Sequence, residues 1–232
     1  LKLKKIIKLK KNSNILDIGS SDSTFLNFFS NEKKNYNCFG IDPSAKKYSN
    51  YYNNDVNLIV DYFSAKAVNS RVEKLKQKNK KFKLISSFAM FYDINDPNGF
   101  CKDIYKLLEK DGLWILEMSH FPMLLSNLTY DQICHEHVTY LALKDINYMM
   151  SEVGLRVFDV DLNAVNGGSL FVIAGHKNAT YKSKINKIKD LLVIKIHLGQ
   201  FKTLIDSFKA WCVFSDRSEI QLFRVLISSF TV

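Results

Sequence analysis

The stretch NILDIGSSDSTFLNFFS, residues 14–30, sets an apolar run, a polar turn and a helical pattern in immediate succession. NILDIG is short, apolar and closed by Gly19, the pattern of a strand buried on both faces. STFLNFFS has helical spacing, which predicts Phe25, Leu26, Phe28 and Phe29 largely on one side. The same alternation continues outward. YNCFGID reads as a second strand ending in Asp42, KFKLISSF as another, GFCKDIYKLLEK as an amphipathic helix, Asp111-Gly112 as a turn and LWILEM as a further strand. This order predicts an α/β fold with a doubly wound, mostly parallel sheet. Beyond it, DINYMMSEVG is a helix stopped at Gly154. LRVFDVDL and GSLFVIAGHK lie on either side of Gly167-Gly168 and are expected to form an antiparallel pair at one sheet edge.

The chain has 232 residues, of which 47% are hydrophobic, enough for one large domain with a sizeable core or a domain plus an appendage. Residues 1–178 carry the α/β pattern. Residues 179–232 are expected to be a helical C-terminal appendage, with Lys182 to Trp211 helical throughout. From Cys212 onward there is no lysine, yet two of the chain's four arginines, Arg217 and Arg224, sit there. Only three prolines and nine glycines argue against disorder. No apolar run reaches the length of a membrane span and no signal peptide is visible, so no membrane partner is expected. Four cysteines without CxxC spacing read as reduced thiols of a cytoplasmic protein.

The net charge is +10, with lysines clustered at Lys2–Lys11, Lys74–Lys83 and Lys182–Lys189. That sign suits a nucleic-acid binder, but no stripe of interleaved aromatic and basic residues accompanies it, so nucleic acid is not the expected partner. Solvated helix faces are the plainer account. Attraction of a small anionic substrate, such as a nucleotide-linked sugar, is another.

Gly19 lets backbone approach a ligand closely, and the helix that follows offers unpaired N–H groups. Asp42 stands 23 residues beyond Gly19, at the end of the next strand, where a carboxylate can accept two ribose hydroxyls. A structural turn and a helix cap explain one glycine and one aspartate about as well. The arrangement resembles the Rossmann-like class I S-adenosylmethionine-dependent methyltransferases, whose loop commonly reads acid-x-G-x-G-x-G. Asp17 and Gly19 match, while Ser21 and Ser23 stand at the later glycine positions. The resemblance implies S-adenosyl-L-methionine as cofactor, with Asp17, Gly19, Ser20, Asp22, Asp42, Pro43, Asp61, Phe88 and Met90 around it. Asp61 would meet the adenine amine, a turn residue being the alternative. The apolar run Phe88–Tyr92 is equally well read as plain core, and Glu117 as a cleft residue or a loop cap.

YDQICHEHVTY, residues 130–140, holds two of the five histidines. His135-Glu136-His137 suits acid–base work, a polar structural cluster, or a metal site needing further ligands such as His120 or Cys134. LISSFAMFYDINDPNGFCKDIYKLLEKDGLWILEMS, YDQICHEHVTYLAL and VNGGSLFVIAGHK occur in this order. Together, over roughly residues 12–178, they resemble the sugar C-methyltransferases, which act on nucleotide-linked deoxysugars and relatives in surface-polysaccharide or antibiotic pathways. The resemblance implies deprotonation beside a keto group to give an enolate that takes the methyl. His137 would be the general base, because an imidazole titrates near neutral pH. Glu136 would orient it or bind sugar hydroxyls, and His135 would support from outside. Cys134, Asn166, Gly167, Gly168 and Ser169 would line the acceptor pocket, with no metal.

The chain departs from the pattern at Cys134, where tyrosine is common. The family's zinc-binding cysteine clusters and its glycine-rich nucleotide-contacting domain also have no counterpart in this sequence. Three alternatives stay open: O-methylation, with His137 taking a hydroxyl proton; a nucleic-acid-binding module on the same fold; and an inactive remnant. The acceptor and the oligomeric state are open as well.

Overall fold

The computed structural model describes residues 6–32, 35–76 and 80–192. Its centre is a seven-stranded sheet. The strands are β1 (Asn14–Ile18), β2 (Asn37–Ile41), β3 (Val56–Ile59), β4 (Phe82–Phe88), β5 (Leu108–Ser119), β6 (Leu155–Asn163) and β7 (Ser169–His176), in the order β3-β2-β1-β4-β5-β7-β6. β1 to β5 are parallel, and β7 runs antiparallel between β5 and β6. The doubly wound sheet with one antiparallel edge is therefore the architecture expected from the alternating pattern. Six α-helices accompany it among the described residues: α1 (Thr24–Ser30), α2 (Ala65–Lys74), α3 (Pro97–Leu107), α4 (Phe121–Ser126), α5 (Leu143–Glu152) and α6 (Ile185–Leu192). The helix expected from Lys182 begins only at Ile185, as α6, and residues 193–232 lie outside the described residues.

Every residue of β1 is buried, because the strand has parallel neighbours on both sides and apolar layers above and below. Successive side chains alternate between the two layers. Leu16, Ile18, Phe39, Ile41, Ile85, Trp114 and Leu116 join one core with residues of α2, α3 and α5. Ile15, Cys38, Leu84, Leu113 and Ile115 join the other with Leu26 and Phe29 of α1. Buried Asn14 is satisfied, donating to the Lys81 carbonyl at 2.9 Å and accepting from Asn37 at 2.9 Å.

Two local expectations are corrected. In α1, Leu26 and Phe29 are buried and Phe25 is half-buried, but Phe28 is 52% exposed. At about 100° per residue, position 28 is turned some 200° from position 26, so the four apolar residues cannot share one face. The helix expected through Lys110 stops at Leu107, because Leu108 pairs with Phe82 and opens β5. Partners jump from Phe82–Leu108 to Leu84–Leu113, so the Asp111-Gly112 turn lies in a bulge of that strand. Lys83 fastens the bulge, with its Nζ 2.5 Å from Asp111 Oδ2.

Candidate active site

The strand order reverses between β1 and β4, and a crevice beyond the carboxyl ends of the strands is the expected ligand position at such a point. A cavity of about 620 Å³ lies there, within the ordinary size of a small-molecule site. Gly19, Asp42, Pro43 and Met90 are on its wall. Gly19 has φ +71°, and a Cβ there would sit 3.1 Å from Met90 Cγ, so a larger residue would strain the turn and narrow the cavity.

Asp42 stands just past β2 and is well held. Its Oδ1 accepts from the Ser44 amide and hydroxyl at 2.6 and 2.7 Å, and its Oδ2 from the Ser21 amide at 2.9 Å. Carboxylate oxygens accept more than one hydrogen bond, so capacity for ligand hydroxyls remains. The other residues expected around a cofactor stand off the wall. Asp17 is buried beneath the loop, with Oδ1 accepting from Ser86 at 2.6 Å. Burial pushes its carboxyl up to about 7 against the Ser86 bond, with Asp42 and Asp22 adding to the rise. Ser20 is buried against Tyr52, and exposed Asp22 accepts from the Thr24 amide at 3.1 Å. Asp61 is exposed and accepts from the Tyr62 amide at 2.8 Å, while Phe88 packs on Phe25 in the opposite core, with ring centroids 5.1 Å apart. Glu117 is half-buried, and its carbonyl accepts from the Ala89 amide at 2.8 Å.

The cavity also takes residues that pattern reading passed over, among them Tyr62, Phe63, Asp93, Asp96, Phe100 and Lys102. A signal for part of them was present. Asp96-Pro97 is a helix start, with Asp96 capping the Gly99 amide at 2.8 Å and Pro97 in the first turn, so α3 begins at the cavity rim.

The histidine block lies over the turn Phe91–Asp93 that follows β4. His135 and Glu136 are exposed, and His137 is half-buried. The His137 ring lies against Tyr92 with centroids 4.2 Å apart, and Thr139 binds the Tyr92 carbonyl through its amide and hydroxyl at 3.0 and 3.2 Å. Neighbouring Asp93, on the cavity wall, has its carboxyl raised by desolvation, which the charge of His137 opposes and that of Glu136 reinforces. His137 Nδ1 is 2.8 Å from the Gln132 carbonyl. A carbonyl only accepts, so the neutral ring carries its proton on Nδ1 and its lone pair on Nε2. Among the described residues no three His, Cys, Asp or Glu side chains converge as metal ligands.

The Gly-Gly block holds a different junction. Asn166 is exposed at φ +49°, Gly167 has φ +75° and Gly168 φ +134°. The Gly167 carbonyl accepts from Asn127 at 2.7 Å and Thr129 at 3.4 Å, and the Gly168 carbonyl from the His120 amide at 2.9 Å. Buried Ser169 donates to the Val165 carbonyl at 2.9 Å. These bonds tie the start of β7 to α4 and to the segment leading to the histidine block. Cys134 is half-buried, and its carbonyl accepts from the His137 amide at 3.2 Å. None of Cys134, His135, Glu136, His137 and Asn166 to Ser169 is on the cavity wall; His137 reaches it only through its contact with Tyr92, next to Asp93. His120 is 1% exposed, with both ring nitrogens lacking a hydrogen-bond partner among the described residues. Burial draws its pKa down to about 4, so the ring is neutral near pH 7.

The comparisons with known proteins agree with the fold. The chain is 27% identical over 168 residues to the C-methyltransferase NovU of Streptomyces niveus, covering 72% of this chain and 39% of that protein. It thus spans about two fifths of the length of that curated relative. Among solved structures, the plantazolicin methyltransferase BpumL, in complex with SAH and a triazolic desmethylPZN analog, superposes with a TM-score of 0.52 at 13% identity, covering 72% of this chain and 77% of that one. The YcgJ protein of Bacillus subtilis superposes with a TM-score of 0.51 at 14% identity, covering 74% and 93%. At such identities these two structures speak for the fold alone. A family model described as a methyltransferase domain matches residues 2–160, well over half of the chain, and with that match the chain belongs to the methyltransferase domain family.

Proposed function

We propose that this protein transfers a methyl group from S-adenosyl-L-methionine to a carbon of a sugar-derived metabolite, with His137 as general base. The carrying observation is the placement of His137, with Nδ1 on the Gln132 carbonyl and its ring against Tyr92, one residue from Asp93 on the cavity wall. The fixed proton on Nδ1 leaves Nε2 as the proton acceptor.

The cavity suits the cofactor in size and donor set. Asp42 would accept its ribose hydroxyls, Gly19 would let the backbone close on it, and Pro43 and Met90 would pack on its apolar parts. Asp17, Ser20 and Asp22 would act by holding the loop. The bound cofactor supplies an electrophilic methyl group on a sulfonium sulfur. His137 Nε2 would take the proton from an acceptor carbon beside a keto group, and the electron pair left on that carbon would take up the methyl as its bond to sulfur breaks, with the electrons of that bond staying on the sulfur. The protonated ring is held by the Gln132 carbonyl throughout. The net charge of +10 favours an anionic acceptor such as a nucleotide-linked sugar. The SAH seen in BpumL, which is what the donor becomes on losing its methyl, supports the cofactor, and the similarity to a C-methyltransferase supports a carbon acceptor.

The test is mass spectrometry of 4-keto nucleotide sugars incubated with the protein and methyl-labelled donor. Label on a sugar carbon supports the reading. Label on an oxygen removes the carbon assignment, and label only on non-sugar acceptors removes the sugar.

A further inference from the structure

The loop after β1 adopts a glycine-like shape with two serines. Ser21 has φ +41° and Ser23 φ +65°, a left-handed region that side chains disfavour. For Ser21, both peptide groups are tied down. Its N–H donates to Asp42 Oδ2 at 2.9 Å, and its C=O accepts from the Tyr52 hydroxyl at 3.0 Å. The Tyr52 oxygen also lies 2.7 Å from Ser20 Oγ. With the Tyr52 proton on the Ser21 carbonyl, the Ser20 hydroxyl is the donor of that second bond. Ser20 is buried beside β2, where a Cβ on Gly40 would stand 2.7 Å from its Oγ. Tyr52 is in turn anchored through its neighbours: Asn27 of α1 donates to the Tyr51 carbonyl at 2.7 Å and accepts from the Asn53 amide at 3.2 Å.

We propose that Tyr52 is a positioning residue for the cofactor. Its hydroxyl holds Ser20 and the left-handed Ser21 in the loop that keeps Gly19 and Asp42 open to the cavity, a task that glycine at position 21 would make unnecessary. Half-buried Tyr52 is well placed for this, since desolvation pushes its phenol up to about 12 and keeps the donating proton on the ring oxygen. The inference rests on the reading of this cavity as the S-adenosyl-L-methionine site.

The test is calorimetric titration of S-adenosyl-L-methionine into the full chain, with thermal unfolding recorded for each variant. Tyr52→Phe keeps the ring and removes the hydroxyl. In the Ser21 background it should weaken binding about three- to tenfold, the net worth of a neutral hydrogen bond. In the Ser21→Gly background the same substitution should cost less than about twofold, a coupling that loss of packing alone would not produce. Equal losses in both backgrounds, or none in either, overturn the assignment of Tyr52. Asp42→Ala separates the two levels. If it weakens binding while Tyr52→Phe does not, only the Tyr52 role falls. If it binds like the unaltered chain, the cofactor site itself is misplaced.

Discussion

The rings of His137 and Tyr92 lie 4.2 Å apart, centroid to centroid, at a tilt of 51°. This contact joins the histidine block to the turn whose Met90 and Asp93 face the cavity. It also sorts the two histidines of the tripeptide, because His135 points to solvent.

His137→Ala should lower turnover by about 10²–10⁴-fold, the usual range for a lost general base, with affinity for S-adenosyl-L-methionine nearly unchanged. His135→Ala should change turnover little. Steady-state rates with the acceptor found by mass spectrometry, together with calorimetry, check both. Equal loss in the two variants would remove His137 from its role.

Gly167→Ala and Gly168→Ala should both destabilise the fold. A Cβ at Gly167 would meet Thr129 Cγ2 at 2.2 Å, and one at Gly168 would meet Met123 Cβ at 2.6 Å, each on a left-handed backbone. Overpacking and backbone strain together should cost about 2–4 kcal/mol, read from urea unfolding midpoints. Thr129→Ser removes the Cγ2 contact but keeps Cβ and Oγ at 2.8 and 2.9 Å, so it should recover only part of the Gly167→Ala loss.

Asp17 makes the stability depend on pH. Burial raises its carboxyl from 3.8 to about 7, so between these values the native chain holds a proton that the unfolded chain releases. Stability from this group is therefore complete below about pH 4 and lost as pH rises through 7. Asp17→Asn keeps an acceptor for Ser86 and never ionises. Its thermal midpoint should match that of the unaltered chain near pH 4, exceed it increasingly up to pH 7, and keep a constant lead above. A lead that does not change with pH would show that Asp17 is not the titrating group.

Arg156 clasps the chain after β7. It donates to the carbonyls of Lys177, Ala179 and Tyr181 at 2.8, 3.0 and 3.1 Å and to Ser183 Oγ at 2.5 Å, and it lies 4.3 Å over the Phe158 ring. Arg156→Ala should cost about 2–4 kcal/mol, since several charge-assisted bonds go at once. Arg156→Lys should recover only a minor part, because an ammonium cannot reproduce the planar fork. Urea denaturation of the three proteins decides this.

While the short β3 (Val56–Ile59) and the order of strands in the sheet came only with the structure, the sequence by itself determined the α/β class, six of the seven strands, and the positions of Gly19 and Asp42 at strand ends. These features are local: a buried parallel strand is a continuous apolar run, and an amphipathic helix repeats every 3.6 residues. Where such patterns overlap, as in α1 and at the start of β5, Phe28 and Leu108 were placed by neighbours distant in the chain. The histidine and Gly-Gly blocks stood out by composition, but their geometry did not. Only tertiary structure brought His137 onto Tyr92, turned His135 outward, put Asp61 and Phe88 off the cavity wall, and made Gly167 and Gly168 a packing junction with Thr129 and Met123. Tyr52 carries no motif at all. Its hydroxyl reaches Ser21 across 31 positions of chain because β2 returns the backbone alongside the loop after β1. Contacts of that kind follow from sheet register and from the closing of long loops, which no local period encodes.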